Sequence, residues 1–217
     1  MHILHVAANP KPIEESASKQ VMMSFFSKIS ELNAEVEVDN IDLYAAPPPY
    51  YSYPEFRNAW FPVLIEGYVP TREEESAANY ALEQAAKLNS ADVLVITTPM
   101  WNYSVPSILK SWIDHVFSPG MTFTVERDGY KPLHKLKKVV VIVASGDVYK
   151  ENDPRDGLSP MIKSMLQDIG VDDVAFAWAD GQDPLRFKDC ERRKRLAIDM
   201  AEELAEEVLE LAGGTTA

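Results

Sequence analysis

Cysteine is nearly absent from this chain. Cys190 stands alone among 217 residues, which excludes an internal disulfide and any cysteine-rich metal site. Glycine is missing where two common phosphate-binding motifs would need it. None occurs before Gly67, so a dinucleotide fingerprint after the first strand is excluded, and the glycine-lysine spacing of an NTPase phosphate loop is absent too. Positive charge is the minority: 21 Lys and Arg against 34 Asp and Glu leave a net charge of −13. Such a surface repels nucleic-acid phosphates and anionic lipid, so neither is an expected partner. No apolar run reaches the roughly 18 residues of a membrane span. The opening run from Ile3 to Ala8 lacks a basic leader and is too short for a signal peptide. A cytoplasmic protein, forming one domain over 1–217, is expected.

What is present is enough for a core. Apolar residues make up 46% and charged residues 25%, both near the globular average. Short apolar runs alternate with helical patterns, as in a parallel sheet covered on both sides. The strand candidates are Ile3–Ala7, a less apolar stretch around Val36, Val38 and Ile41, Asp92–Thr97, Val139–Val143 and, more weakly, Val174–Trp178. Continuous β-branched runs in the third and fourth suit strands buried on both faces. Val21, Phe25, Ile29 and Leu32 recur at helical spacing. Further helices are expected over Glu73–Leu88, from Ile108 to Val116 and over Met161–Ile169. A final one carries Leu196, Met200, Leu204, Val208 and Leu211 and stops at Gly213-Gly214.

One stretch breaks the rhythm. Residues 44–68 hold eight of the 21 aromatics and five of the 15 prolines. An insertion of that composition, about 44–70, reads as a lid over a site or a partner-facing flap, or as a satellite cluster covering the sheet edge.

Ligands of open α/β sheets bind beyond the carboxyl ends of the strands. Three loops fall there. The first runs from Asn9-Pro10 to Ser16-Ala17-Ser18, where hydroxyls at a helix start and free N–H groups suit a phosphate, or Ser16 is a plain N-cap. The second is Pro99-Met100-Trp101-Asn102-Tyr103; its flat side chains and one amide suit a planar heteroaromatic, or they merely plug the loop. The third, Ala144-Ser145-Gly146-Asp147-Val148-Tyr149, allows close backbone approach to a ligand, or is a tight turn.

Taken together, these segments resemble the FMN-dependent NADH-azoreductase family of flavodoxin-like NAD(P)H quinone oxidoreductases. The resemblance is carried by Ser16-Ala17-Ser18, Ala91–Ile96 leading to Pro99–Tyr103, Gly120-Met121-Thr122-Phe123, and the fourth strand with Ser145-Gly146. It implies a flavodoxin-like, doubly wound α/β fold with a five-stranded parallel sheet and bound FMN. It also implies ping-pong reduction of quinones or azo compounds by NADH or NADPH, and a homodimer with its sites at the interface. The helix from Ile108 to Phe117 is apolar enough to be sheet-packed and part of a dimer contact. By matching position, Ser16 and Ser18 hold the FMN phosphate with Ala17 backbone. Pro99, Met100, Trp101, Asn102 and Tyr103 line the isoalloxazine, and Ser145 and Gly146 approach its pyrimidine edge. The family commonly carries serine where this chain has Asn9, and an extra glycine where it has Asp147, an acid expected to lower the flavin potential. Tyr149 is a candidate for polarising a quinone oxygen, whereas His115 reads as packed and Cys190 as inert. The alternative is a flavodoxin-type electron carrier without an organic substrate, which the acidic surface suits and a covered pocket would oppose.

Overall fold

The computed structural model describes residues 1–32 and 35–213. In chain order they form β1 (His2–Ala7), a short 3-10 turn (Ile13–Glu15), α1 (Ala17–Leu32), β2 (Glu37–Asp42), α2 (Tyr53–Leu64), α3 (Arg72–Ala77) and α4 (Asn79–Ser90). Then follow β3 (Val93–Pro99), α5 (Ser107–Val116), β4 (Phe123–Glu126), β5 (Gly129–Pro132), β6 (Lys138–Ala144), α6 (Ser159–Asp168), β7 (Val174–Ala179) and α7 (Cys190–Gly213).

All five expected strands form, in the parallel order β2-β1-β3-β6-β7. Their chemistry explains the order. β3 and β6 are mostly apolar on both faces and buried throughout, apart from the half-buried Ala144, while β2, with Glu37, Asp39 and Asn40 exposed, takes an edge. Alternate residues feed two cores. Leu4, Ile96 and Val141 face α5 and α6, whereas Ile3, Val95 and Ile142 face α1 and α7. The chain leaves β1 on one side for β2 and returns on its other side for β3. That reversal opens a crevice at the strands' carboxyl ends.

Three expectations need correction. The helix expected over Glu73–Leu88 is two helices meeting at Ala78, a fully buried residue in a small cluster with Ala81, Ala85 and Met121. The final helix buries Ala197, Ala201, Leu204, Ala205 and Val208, leaving Leu196 and Met200 exposed. Its small alanines let it lie close against α1, and Lys28 of α1 reaches Glu206 at 2.7 Å. Leu32 likewise falls outside the buried face of α1. Gly214 of the expected stop lies outside the described residues. The β4–β5 hairpin was not anticipated, although Asp128-Gly129 between alternating residues is a hairpin signal.

The insertion is fastened rather than loose. Ser52 caps α2, accepting from the Glu55 N–H at 3.3 Å, and the Pro49 carbonyl accepts from Ser111 (2.9 Å) and His115 (3.0 Å) of α5. Farther on, Glu74 accepts from Arg57, from the Tyr68 hydroxyl at 2.7 Å and from the Thr71 N–H at 2.8 Å. These donors hold its carboxyl down at about 2, with the Thr71 N–H the largest contributor. The insertion therefore packs against α5 and α3, on the side of the α5 core.

Candidate active site

A cavity of about 480 Å³ opens at the carboxyl ends of β1, β3, β6 and β7. Its walls come from the three loops singled out in the sequence, plus residues following β7 and the start of α7.

The β1 wall is built around Asn9. Its Oδ1 accepts from the Lys11 N–H at 3.0 Å, which fixes the amide's direction. Nδ2 therefore donates to Ser16 Oγ at 2.8 Å and to Ser18 Oγ at 3.0 Å. Ser16 Oγ also accepts from the Lys19 N–H at 3.2 Å. The two hydroxyls also lie 3.4 Å apart, within hydrogen-bond reach, so one of their protons is engaged between them and the other is left to donate. The Ala17 and Ser18 N–H groups, first in α1, find no acceptor among the described residues. One hydroxyl proton and two N–H groups thus gather at one helix start, the arrangement an oxyanion needs. Ser16 and Ala17 line the cavity, whereas Ser18 is fully buried just behind it. Asn9, read as a departure from the family pattern, is the residue that aligns the two serines.

The β3 wall ends in a strained turn. Trp101 and Ser104 exchange backbone hydrogen bonds of 2.9 and 3.0 Å around Asn102 (φ 48°) and Tyr103 (φ 68°). Positive φ at both centres suits asparagine but costs a tyrosine about 1 kcal/mol or more. Gly157 holds the turn: its N–H donates to the Tyr103 carbonyl at 2.9 Å, and a Cβ there would stand 2.7 Å from that oxygen. Gly157→Ala is therefore expected to displace the turn and lower stability by about 1–3 kcal/mol. Urea unfolding reads the loss, and an unchanged midpoint would refute the contact. Pro99, Met100 and Trp101 line the cavity; Asn102 and Tyr103 do not, and both point into solvent.

On the β6 wall the Ser145 hydroxyl has its proton engaged. It accepts from Trp178 Nε1 at 2.8 Å and donates to the Asp147 carbonyl at 2.9 Å. What this wall offers is backbone. The N–H groups of Gly146 and Asp147 have no acceptor among the described residues. A Cβ on Gly146 would meet only the Asp183 side chain, at 3.8 Å, so the glycine leaves room on the cavity side. Asp147 does not line the cavity. Its carboxylate accepts from the Val148 N–H, from Arg186 at 3.2 Å and from Arg155 at 2.9 Å, which together hold its pKa below the usual carboxylate range. The expected influence of an unpaired acid is thus removed by two arginines. Tyr149 stacks on Trp178 in a separate cavity, away from the crevice.

No residue of the 44–70 insertion lines the crevice, so the lid reading is replaced by that of a flap on α5 and α3. Lys11, Gln20, Gln182, Asp183 and Lys194 do line it. Their polar spacing carries no motif by which the sequence would single them out. Two lysines face four carboxylates there, Glu14, Glu15, Asp183 and Glu191, so anion binding must rest on neutral donors.

Comparison with known proteins agrees with this geometry. A family profile described as a flavodoxin-like fold matches residues 1–204. An FMN-dependent NADH:quinone oxidoreductase of Coprothermobacter proteolyticus is 30% identical over 94% of this chain and 98% of its own. One from Trichormus variabilis is 32% identical over 96% of each chain. Among solved structures, an FMN-dependent NADH-azoreductase of Bacillus anthracis in complex with FMN superposes with a TM-score of 0.81. It is 25% identical over 95% of this chain and 98% of its own.

Proposed function

Since this chain belongs to the flavodoxin-like family that includes the FMN-dependent NADH:quinone oxidoreductases, we propose that it reduces quinones and azo compounds through bound FMN, drawing electrons from NADH or NADPH. FMN when bound supplies the two-electron hydride chemistry, and ping-pong turnover follows from donor and acceptor using one crevice in turn. The protein's part is to bind, orient and shield, as one domain. Ser16, Ser18 and the Ala17 and Ser18 N–H groups hold the phosphate, with Asn9 holding the two hydroxyls in place. Met100 and Trp101 flank the ring, and the Gly146 N–H stabilises negative charge on its pyrimidine edge. Asn102 and Tyr103 act through the turn that aims Trp101. Tyr149 has no place in this scheme.

The observation that carries the reading is the donor cluster at Asn9, Ser16 and Ser18 on the wall of a cavity with a tight aromatic turn. A yellow preparation that releases FMN and oxidises NADH with a quinone or an azo dye is the expected result; a colourless protein that refuses added FMN would overturn it. An electron carrier keeps one argument, since no insertion residue covers the crevice. It would show no NADH oxidation without a partner reductase. Because carboxylates outnumber lysines at the mouth, FMN affinity is expected to rise modestly between low and physiological salt as repulsion is screened. A steep fall with salt in a fluorescence titration would contradict this.

A homodimer belongs to the same reading. The apolar side of α5, with Leu109, Trp112, Ile113 and Val116, is packed in the core, so α5 joins the dimer contact through its outer face. The insertion exposes a run of apolar side chains, Tyr53, Phe56, Leu64 and Ile65, that suits such a contact. A stable, active monomer in dilute sedimentation would remove the dimer. Among the described residues no helix is long and apolar enough to cross a membrane, and a cytoplasmic location is part of the proposal.

A further inference from the structure

Three successive carbonyls on the loop after β6 accept from the loop after β7. Ser145 accepts from the Gln182 N–H at 2.9 Å, Gly146 from the Asp183 N–H at 3.3 Å and Asp147 from the Gly181 N–H at 3.0 Å. Across a trans peptide the N–H points opposite to the preceding carbonyl. The Ser145 carbonyl faces the β7 loop, so the Gly146 N–H faces away from it, on a residue that lines the crevice. The aim of that donor is therefore set by where the two loops hold each other.

One side chain ties them. The Asp147 carboxylate accepts through Oδ1 from the Val148 N–H at 2.9 Å and from Arg186, on the β7 loop, at 3.2 Å. Through Oδ2 it accepts from Arg155, on the approach to α6, at 2.9 Å. At 19% exposure these pairs are partly sheltered from water. Arg155 is anchored in turn by Asp153 at 2.7 Å and lies over the Tyr149 ring, 5.2 Å from its centroid. Three segments of chain thus meet on one carboxylate. The two arginines balance Asp147 and Asp153, so the cluster acts on the loops rather than through a net charge.

The geometry points to Asp147 as a positioning residue for the flavin: it clamps the β6 loop to the β7 loop so that the Gly146 N–H meets the pyrimidine edge, without touching the cofactor itself. The clamp rests on the FMN reading given above. A clamp and a bare charge differ in sign. If Asp147 acted as a negative charge near the ring, its removal would favour the reduced, negatively charged flavin and raise the midpoint potential. If it acts as a clamp, its removal loosens the Gly146 contact, which the reduced form needs more, and the potential falls.

The FMN-loaded protein is titrated against a reference redox dye, beside Asp147→Ala, Asp147→Asn and Glu151→Gln. In Asp147→Ala the affinity for reduced FMN is expected to fall about tenfold relative to the oxidised form, the scale of one hydrogen bond to a charged group. For a two-electron couple that lowers the midpoint potential by about 30 mV. Asp147→Asn keeps an acceptor for the Val148 N–H and weakens both arginine contacts, so a smaller fall is expected. Glu151→Gln removes an exposed acid outside the cluster and should lower nothing. An unchanged or raised potential in Asp147→Ala, or an equal fall in Glu151→Gln, would overturn the clamp. Should Asp147→Ala not fold, the sign of the shift in Asp147→Asn decides. A natural protein that takes up no FMN removes the functional reading and the clamp together, whereas a variant with the natural potential removes the clamp alone.

Discussion

Replacing His115 with leucine is expected to destabilise the protein by about 3–5 kcal/mol, a large share of the ~5–15 kcal/mol a domain of this kind possesses. His115 is fully buried, with Nδ1 on the Glu55 carboxylate and Nε2 on the Pro49 carbonyl at 3.0 Å. Both partners accept, so the ring carries both protons and is an imidazolium. The edges of Tyr51 and Tyr80 close around it, with ring centroids 5.4 and 4.8 Å away. Leucine fills similar space but leaves Glu55, itself 2% exposed, without a counter-charge. Urea unfolding measures the loss. The double variant Glu55→Leu/His115→Leu should recover most of it, because removing both charges leaves nothing buried and unpaired. A single variant costing under about 1 kcal/mol would refute the pair's importance.

The pH dependence follows with a definite sign. Burial acts to lower the pKa of His115, but the Glu55 hydrogen bond, the Pro49 carbonyl and the nearby Glu55 and Asp114 charges outweigh it, and the net shift is upward. A histidine whose folded pKa exceeds its unfolded value of about 6.5 adds stability that is complete below that pH. The contribution disappears as pH rises through the folded value. The stability of the natural protein relative to the double variant should therefore fall as the solution is made alkaline. A rise in its relative stability would reverse the assignment.

Asn9→Leu is expected to weaken FMN binding about ten- to a hundredfold while changing riboflavin binding little. The variant deletes the two hydrogen bonds that hold the Ser16 and Ser18 hydroxyls in place and strands two buried hydroxyls, a loss of about 1–3 kcal/mol. Riboflavin lacks the phosphate those hydroxyls serve, so it reports the rest of the site alone. Quenching of flavin fluorescence gives both affinities. Equal losses for the two ligands would mean that the asparagine supports the cavity generally rather than the phosphate end.

The legible parts of the site share a physical property. Ser16, Met100, Trp101 and Gly146 belong to loops that follow strands at once, and the sheet delivers such loops to one end. The illegible parts depend on direction. Asn9 looked like a lost contact because its side chain's reach to residues seven and nine positions on is invisible in the chain order. Asp147 looked like a free acid because Arg186 is 39 positions away. The left-handed pair Asn102 and Tyr103 turns two expected ring contacts outward.

From the chain alone came the five strands of the parallel sheet, their edge or central character and the carboxyl-end loops, since hydrophobic period and β-branched runs are local quantities. The break at Ala78, the alanine face of α7 and the fastening of the insertion by Glu55, His115 and Pro49 were settled only by packing. Each is a contest between distant surfaces for the same space or the same proton, and no window of neighbouring residues contains both contestants.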